Sequence, residues 1–133
     1  MSKFSSFMKG KVKPAETVEL KLDRFDEPIQ LRALTAGEAD EINAKCFVNK
    51  PGLKGKQERI FDVVKYNRGV CVSSIVYPDL NDAELQESYG VRGAENLYSE
   101  MFLLGEAALI LDKVTEISGL DTSINDDIEE AKN

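Results

Sequence analysis

The sequence predicts an α+β fold: a small, mainly helical single domain in which an N-terminal β-hairpin is followed by four or five helices. Apolar and polar residues alternate over Thr17–Leu22 and again over Ile29–Leu34, a pattern typical of strands. After Thr35 the apolar residues recur at helical spacing, in segments separated by glycine and proline. With 133 residues, the chain is long enough for one modest hydrophobic core.

The two alternating runs are joined by the polar stretch 23–28 and therefore predict a hairpin. Val18 and Leu20 share a face of the first strand, and Ile29 and Leu31 share a face of the second. An isolated hairpin is only marginally stable in water, so we expect it to pack on helices or to pair with another chain. Because two strands alone leave unpaired edges, Val18 and Leu20 are candidate residues for self-association.

The helices are predicted from caps and apolar spacing. Thr35 with Glu38 forms a capping-box pattern and predicts a helix that ends near Phe47. The proline and glycines of 49–55 predict a loop. A long helix is expected from Lys56 to about Ile75, although its β-branched last turn fits a helix poorly. Three further helices are predicted at Asp82–Tyr89 (capped by Asn81), Ala94–Leu104 and Glu106–Ser118.

Charge is unevenly distributed along the chain. Residues 1–14 hold four lysines and no acid, whereas residues 120–133 hold five acids against Lys132, so we expect a flexible basic arm and a flexible acidic tail around a folded domain at 15–119. The net charge of −7 makes nucleic acid an unexpected partner. No apolar run approaches the roughly 20 residues of a membrane span, so we expect no membrane association and a cytoplasmic location.

The residue types do not predict an enzyme or a metal site. Cys46 and Cys71 lie far apart in apolar surroundings, the chain has no histidine, and we expect both cysteines to be buried, reduced thiols. Glu38, Asp40 and Glu41 are the nearest approach to an acid–base set, but no nucleophile motif or phosphate-binding loop accompanies them. We therefore expect a solvated helix face there, no catalytic residues and no cofactor.

A partner-binding groove is the functional feature that the pattern allows. Tyr89, Tyr98 and Phe102, together with Leu103 and Leu104, lie on neighbouring predicted helices and could line a groove for a partner helix. Tyrosine and phenylalanine at contacts between helices are, however, more often plain core. Their exposure after folding would separate the two interpretations.

Four segments carry a resemblance to a known family. They are Arg32-Ala33-Leu34-Thr35, Val76-Tyr77-Pro78-Asp79-Leu80, the stretch Glu84–Val91 and Leu104-Gly105-Glu106. In order and spacing, over roughly Val18 to Asn133, the chain resembles the XkdN-like tail assembly chaperones of long-tailed bacteriophages and prophages.

The resemblance implies a non-catalytic role in the cytoplasm of the bacterial host. Such chaperones bind and solubilise the tape measure protein and leave before the virion is complete. A longer form, made by −1 ribosomal frameshifting, is thought to recruit tail tube protein, and codons for Ala131-Lys132-Asn133 can contain a slippery heptamer. The alternative is a structural tail or baseplate component, or a small acidic adaptor, retained in its final assembly.

Overall fold

Five strands and five helices make up the described part of the chain, residues 3–120 of a computed structural model. A short 3-10 turn at Ser5–Phe7 precedes them, and another at Leu53–Gly55 lies between two strands. The strands are β1 (Thr17–Leu20), β2 (Ile29–Arg32), β3 (Phe47–Pro51), β4 (Gln57–Phe61) and β5 (Ile75–Tyr77). The helices are α1 (Ala36–Ala44), α2 (Val63–Ser74), α3 (Ala83–Ser88), α4 (Ala94–Met101) and α5 (Leu104–Ile117).

The predicted α+β fold and its N-terminal hairpin are confirmed. β1 and β2 pair antiparallel, with Val18 opposite Leu31 and Leu20 opposite Ile29. The free side of β2 pairs with β5, which gives a three-stranded sheet of order β1-β2-β5. The extra pairing that a lone hairpin requires therefore comes from this chain itself. Only one edge of the predicted hairpin, that of β1, stays unpaired within the described chain.

The helix α1 begins at the predicted capping box. The Thr35 hydroxyl accepts the Glu38 N–H at 3.2 Å, and the Glu38 carboxylate accepts the Thr35 N–H at 3.1 Å. Arg32 at the end of β2 donates to the same carboxylate at 3.0 Å. These contacts, the Arg32 hydrogen bond first, lower the pKa of Glu38 to about 2. Strand, turn and helix are thus tied together at one carboxylate.

Two predictions for residues 49–75 are wrong. Residues 49–51 of the expected loop and the first turns of the helix expected from Lys56 instead form strands of a second antiparallel hairpin, with Phe47 opposite Phe61 and Pro51 opposite Gln57. Only residues 52–56 form the connection between them. We call residues 47–61 the ribbon. The helix begins only at Val63, and the side chain of its N-cap, Asp62, accepts the Lys65 N–H at 3.1 Å. Cross-strand pairing in the ribbon outweighs the helical spacing of its apolar residues.

The end of α2 turns directly into a strand. The β-branched residues after Ser74 form β5, as their β propensity favours. The buried Ser74 hydroxyl donates to the Arg32 carbonyl at 2.6 Å and fastens α2 to the sheet. Further along, Asp82 rather than Asn81 caps α3, since its carboxylate accepts the Leu85 N–H at 2.9 Å.

The helix α4 ends three residues earlier than predicted, and α5 begins two residues earlier. Glu106 accepts the Leu103 N–H at 2.8 Å, which sets the start of α5 at Leu104. Arg24 ties this corner to the first hairpin, because it donates to Glu106 at 3.1 Å and to the Met101 carbonyl at 2.9 Å. The hydrogen bond with Arg24, more than that with Leu103, lowers the pKa of Glu106.

The core lies between the three-stranded sheet and the helices α2, α4 and α5. At Gly69 the helices α1 and α2 approach closely, and a Cβ there would lie 2.7 Å from Cγ2 of Ile42. Cys46 and Cys71 are buried free thiols, as expected. The buried core residues include Leu22, Ile29, Leu31, Val70, Ile75, Leu80, Leu97, Met101, Ile110 and Val114.

The flexibility expected of the basic arm (1–14) and of the acidic tail (120–133) stays a prediction. In the arm, Phe7 and Met8 are exposed beside the first 3-10 turn. Of the segment predicted as an acidic tail, residues 121–133 lie outside the described residues.

Candidate interaction surface

An apolar groove of about 450 Å³ lies between α2, α4 and α5, and we call it the helical groove. Leu104 at the start of α5 stands 91% exposed at this groove, although it is one of the chain's larger apolar side chains. Val64 is exposed on the α2 side. The lining residues are Val64, Asn67, Arg68, Cys71, Tyr98, Ser99, Phe102, Leu104, Ala107, Ala108 and Leu111.

One wall of the helical groove is a stripe of α5. Leu104, Ala108 and Leu111 recur at helical spacing and therefore lie on one face of that helix. The alanines at 107 and 108 leave room where larger side chains would fill the groove. The wall is thus shaped by small residues flanked by leucines, which suits the ridge of an apolar helix.

The floor of the helical groove is aromatic. Tyr98 and Phe102, four residues apart at the end of α4, place their ring centroids 5.5 Å from each other. Each is only 7% exposed, so both are core residues whose edges form the base of the groove. The Tyr98 hydroxyl shares a hydrogen bond with the Cys71 thiol, and burial raises the pKa of both groups. The floor therefore stays uncharged at neutral pH.

The lining of the helical groove is mostly uncharged. Arg68 is the one charged side chain among its described lining residues. Over residues 3–120, no three histidine, cysteine or acidic side chains cluster closely enough to hold a metal ion. No helix in that range has the length and apolarity needed to cross a membrane. What the groove offers a partner is apolar area and a shape.

A second groove of about 540 Å³ lies on the other side of the α2–α5 contact. It shares Asn67 and Leu111 with the helical groove, so the two grooves meet along one ridge. Its α1 side carries Ala36, Ala39 and Asp40. Apolar surface therefore continues across both flanks of the two longest helices.

The structure divides the aromatic residues that the sequence grouped together. Tyr98 and Phe102 lie together with Leu104 in the helical groove, whereas Tyr89 lies elsewhere. Tyr89 is exposed at a separate cavity of about 280 Å³, which we call the tyrosine pocket. It is lined by Phe25, Asp26, Glu27, Pro28, Ile29, Tyr77, Pro78, Leu85, Tyr89 and Met101.

The strand candidates Val18 and Leu20 lie on β1, the outer strand of the three-stranded sheet. Both are half-buried and pack against the core, so their inward faces are already in use. What β1 leaves open is its backbone edge, which is four residues long. The role of these two residues in self-association stays a prediction.

Sequence reasoning missed the ribbon and the contribution of Val64 to the helical groove. A signal for the ribbon was present, since the apolar pairs Phe47-Val48 and Ile60-Phe61 flank a centre that is rich in proline and glycine. Phe47 and Phe61 meet across the strands with ring centroids 5.4 Å apart, and Arg59 lies over the Phe47 ring. The helical spacing of Ile60 and Val64 concealed this pairing.

Comparison with known proteins decides the family. The family model of phage XkdN-like tail assembly chaperone proteins matches residues 4–132. The chain belongs to the XkdN-like tail assembly chaperone family. Tail assembly chaperones fill a non-enzymatic kind of role, and proteins of phage tails are the partners that the family implies.

Relatives of this XkdN-like chaperone occur in Bacillus subtilis strain 168. The phage-like element PBSX protein XkdN is 28% identical over 97% of this chain and 93% of its own length. The protein YqbN is 30% identical over 97% of this chain and 92% of its own. The crystal structure of YqbN superimposes with a TM-score of 0.71, at 26% identity over 91% of this chain and 99% of the other.

Proposed function

We propose that this tail assembly chaperone binds the tape measure protein in the host cytoplasm and keeps it in solution until the tail tube forms around it. An apolar helix of the tape measure protein lies in the helical groove. The observation that carries the proposal is the exposed Leu104 beside an aromatic floor, in a groove with a single charged lining residue.

The physical requirements of this role match the groove. A long, largely helical protein without its tube exposes amphipathic helices, and a helix-in-groove contact masks their apolar faces. Leu104 and Val64 are anchors that lose their exposure when such a helix docks. The net charge of −7 keeps a coat made of many copies soluble.

The test is co-expression of this chain with the tape measure protein from the same genome. Wild type should carry the tape measure protein into the soluble fraction and co-purify with it. Val64→Asp and Leu104→Asp each place a charge in the groove and should abolish co-purification. Since both side chains are exposed, the variants should fold.

Leu109→Asp is the matched control, because Leu109 is exposed on the same helix but does not line the helical groove. It should retain the tape measure protein. If wild type leaves that protein insoluble, or if Leu109→Asp and Leu104→Asp lose it equally, the groove proposal fails. Recovery of the chain in purified virions would favour the alternative of a retained structural component.

The frameshifted long form belongs to the same proposal. Codons for Ala131-Lys132-Asn133 that contain the heptamer A-AAA-AAY would allow a −1 slip that joins a second domain to this chain. That domain would bring tail tube protein to the coated tape measure protein. The nucleotide sequence tests this directly: a gene without the heptamer, or with a −1 frame that closes after a few codons, would remove the long form and leave the chaperone proposal intact.

A further inference from the structure

The second groove is the larger of the two grooves beside α2 and α5, at about 540 Å³. Asp40 is the single charged side chain among its described lining residues. Since a cavity of roughly 150 Å³ holds a benzene molecule, this groove has room for several aliphatic side chains. Exposed apolar surface of this extent marks an interaction site. The proposed contact with the tape measure protein uses the helical groove and leaves the second groove unassigned.

The end of α5 turns the chain toward the second groove. The Gly119 N–H donates to the Glu116 carbonyl at 3.1 Å. The Leu120 N–H donates to the Thr115 carbonyl at 2.9 Å, which completes the paired hydrogen bonds of a Schellman motif. Gly119 has a φ of 90°, so the backbone changes direction directly after the helix. Leu120 therefore lines the second groove, with its side chain 70% exposed.

The acidic tail continues beyond Leu120 with the pattern of a short amphipathic helix. Ile124, Ile128 and Ala131 recur at intervals of four and three residues, the spacing of one helical face. Ser123 precedes this stripe and is a residue type typical of an N-cap. Three acids fall on the opposite face of such a helix, namely Asp126, Glu129 and Glu130. All of these positions lie outside the described residues.

The length and attachment of the acidic tail fit the second groove. A helix over residues 124–132 would be about 14 Å long, which equals the length of α1, a nine-residue helix on one side of the groove. Only residues 121–123 separate Leu120, which already lines the groove, from Ile124. Because this connection is short, closing it costs little entropy. A segment of another molecule would lose its translational freedom as well.

The basic arm leaves the fold beside the same groove. The Ala33 N–H donates to the Glu16 carbonyl, directly after the arm, at 3.4 Å. The next residue, Leu34, donates its N–H to the Ser118 hydroxyl at 3.1 Å, and both residues line the second groove. The four lysines of the arm and the five acids of the tail therefore leave the fold at neighbouring points, where opposite charges attract.

We propose that the acidic tail folds back as a helix onto the second groove of its own chain. Ile124 and Ile128 enter the groove beside Leu120, and the acids face solvent and the arm. The tail covers the apolar surface on the α1 side, which leaves the helical groove open to a partner helix. This contact ends the flexibility that charge alone predicts for the tail.

Hydrogen–deuterium exchange of the purified full-length protein tests this contact. In wild type, the amides of residues 124–132 should exchange at least about tenfold more slowly than in an unstructured peptide, because a docked helix protects them. Ile124→Ser with Ile128→Ser removes the apolar stripe and should restore the fast rate. Ala36→Glu should do the same, because it places bulk and negative charge at an exposed lining position of the groove.

Two controls match these variants. Thr122→Ser with Asn125→Ser also introduces two serines in the tail, but outside the apolar stripe. Leu104→Asp places an acid on the body of the protein, but in the helical groove rather than in the second groove. Both should keep the slow exchange of wild type.

Three results would overturn the proposal. The first is fast exchange of the tail in wild type. The second is slow exchange that persists in the double isoleucine variant or in Ala36→Glu. The third is protection that rises with protein concentration, since another molecule rather than the same chain would then supply the tail. The measurement needs no tape measure protein, so its failure is distinct from a failure of the co-purification test.

Discussion

The two hairpins of this chain have the same strand pairing and opposite environments. In the first, β2 buries Ile29 and Leu31 against the helices, and its second edge is closed by β5. In the ribbon, nearly every residue is exposed and no third strand pairs with it in the described chain. A two-stranded sheet is marginal alone. The first hairpin therefore serves the fold, and the ribbon is free to serve contacts with other molecules.

The largest expected effect on the free energy of unfolding comes from comparing a buried side chain of the first hairpin with an exposed one of the ribbon. Leu31→Ala should cost about 2–5 kcal/mol in free energy of unfolding, because Leu31 is 0% exposed and its loss leaves a cavity. Ile60→Ala in the ribbon should cost less than about 1 kcal/mol, since Ile60 is 37% exposed. Urea unfolding measures both. Equal losses would mean that the ribbon is part of the folding core.

A smaller effect on stability is expected where β2 leads into α1, at the capping box that Glu38 forms with Thr35. The pKa of Glu38 is lowered to about 2 from its ordinary value of 4.5, so its carboxylate stabilises the fold above about pH 4.5, and that contribution is lost as pH falls toward 2. Glu38→Gln should lower the melting temperature at neutral pH, and the difference from wild type should shrink through this window.

Thermal unfolding followed by circular dichroism at several pH values makes this measurement. Glu41→Gln is the control, because it removes the same charge from the same helix outside the capping box. It should leave the melting temperature near that of wild type. A deficit of Glu38→Gln that persists unchanged at low pH would show that the carboxylate charge is not what stabilises the cap.

The smallest expected effect lies at the tip of the ribbon. Lys54→Gly relieves the left-handed strain but loosens the unfolded chain, so the free energy of unfolding should rise by between zero and about 1 kcal/mol. Lys56→Gly, at an ordinary φ of −84°, should instead lower it by roughly 0.5–1 kcal/mol. Urea unfolding shows whether each substitution raises or lowers the free energy of unfolding. Destabilisation by both would mean that Lys54 makes a stabilising contact.

Sequence reasoning succeeded where a local pattern reports burial. Ile29 and Leu31 alternate because one face of β2 is buried, and Thr35 with Glu38 encodes a cap within four residues. The ribbon was missed because it buries neither face, and its pairing of Phe47 with Phe61 joins residues 14 positions apart. No period within a short window reports such a pair.

The same reasoning explains which part of the helical groove could be foreseen. Tyr98, Phe102 and Leu104 are close in sequence, and the structure places them together. Tyr89 was predicted to join them because it is also aromatic. A turn with Gly90 and Gly93 at positive φ separates it from α4, and it lines the tyrosine pocket instead. Val64 lines the groove from α2, a helix distant in sequence that only tertiary packing brings there.

The lack of a side chain at Gly69 influences the position of the ribbon, which lies some distance away. A methyl group there would lie 2.7 Å from Cγ2 of Ile42, roughly 1 Å inside a normal carbon–carbon contact, and the stiff rotamer of isoleucine gives way poorly. The helices α1 and α2 would be wedged apart, and the ribbon grows from the ends of these two helices. Five-residue strands span about 17 Å, about twice the spacing of packed helices. A displacement of about 1 Å at the contact between Gly69 and Ile42 would therefore move the tip of the ribbon by about 2 Å. Gly69 thus helps to set the direction in which the ribbon projects, although it lies outside the ribbon.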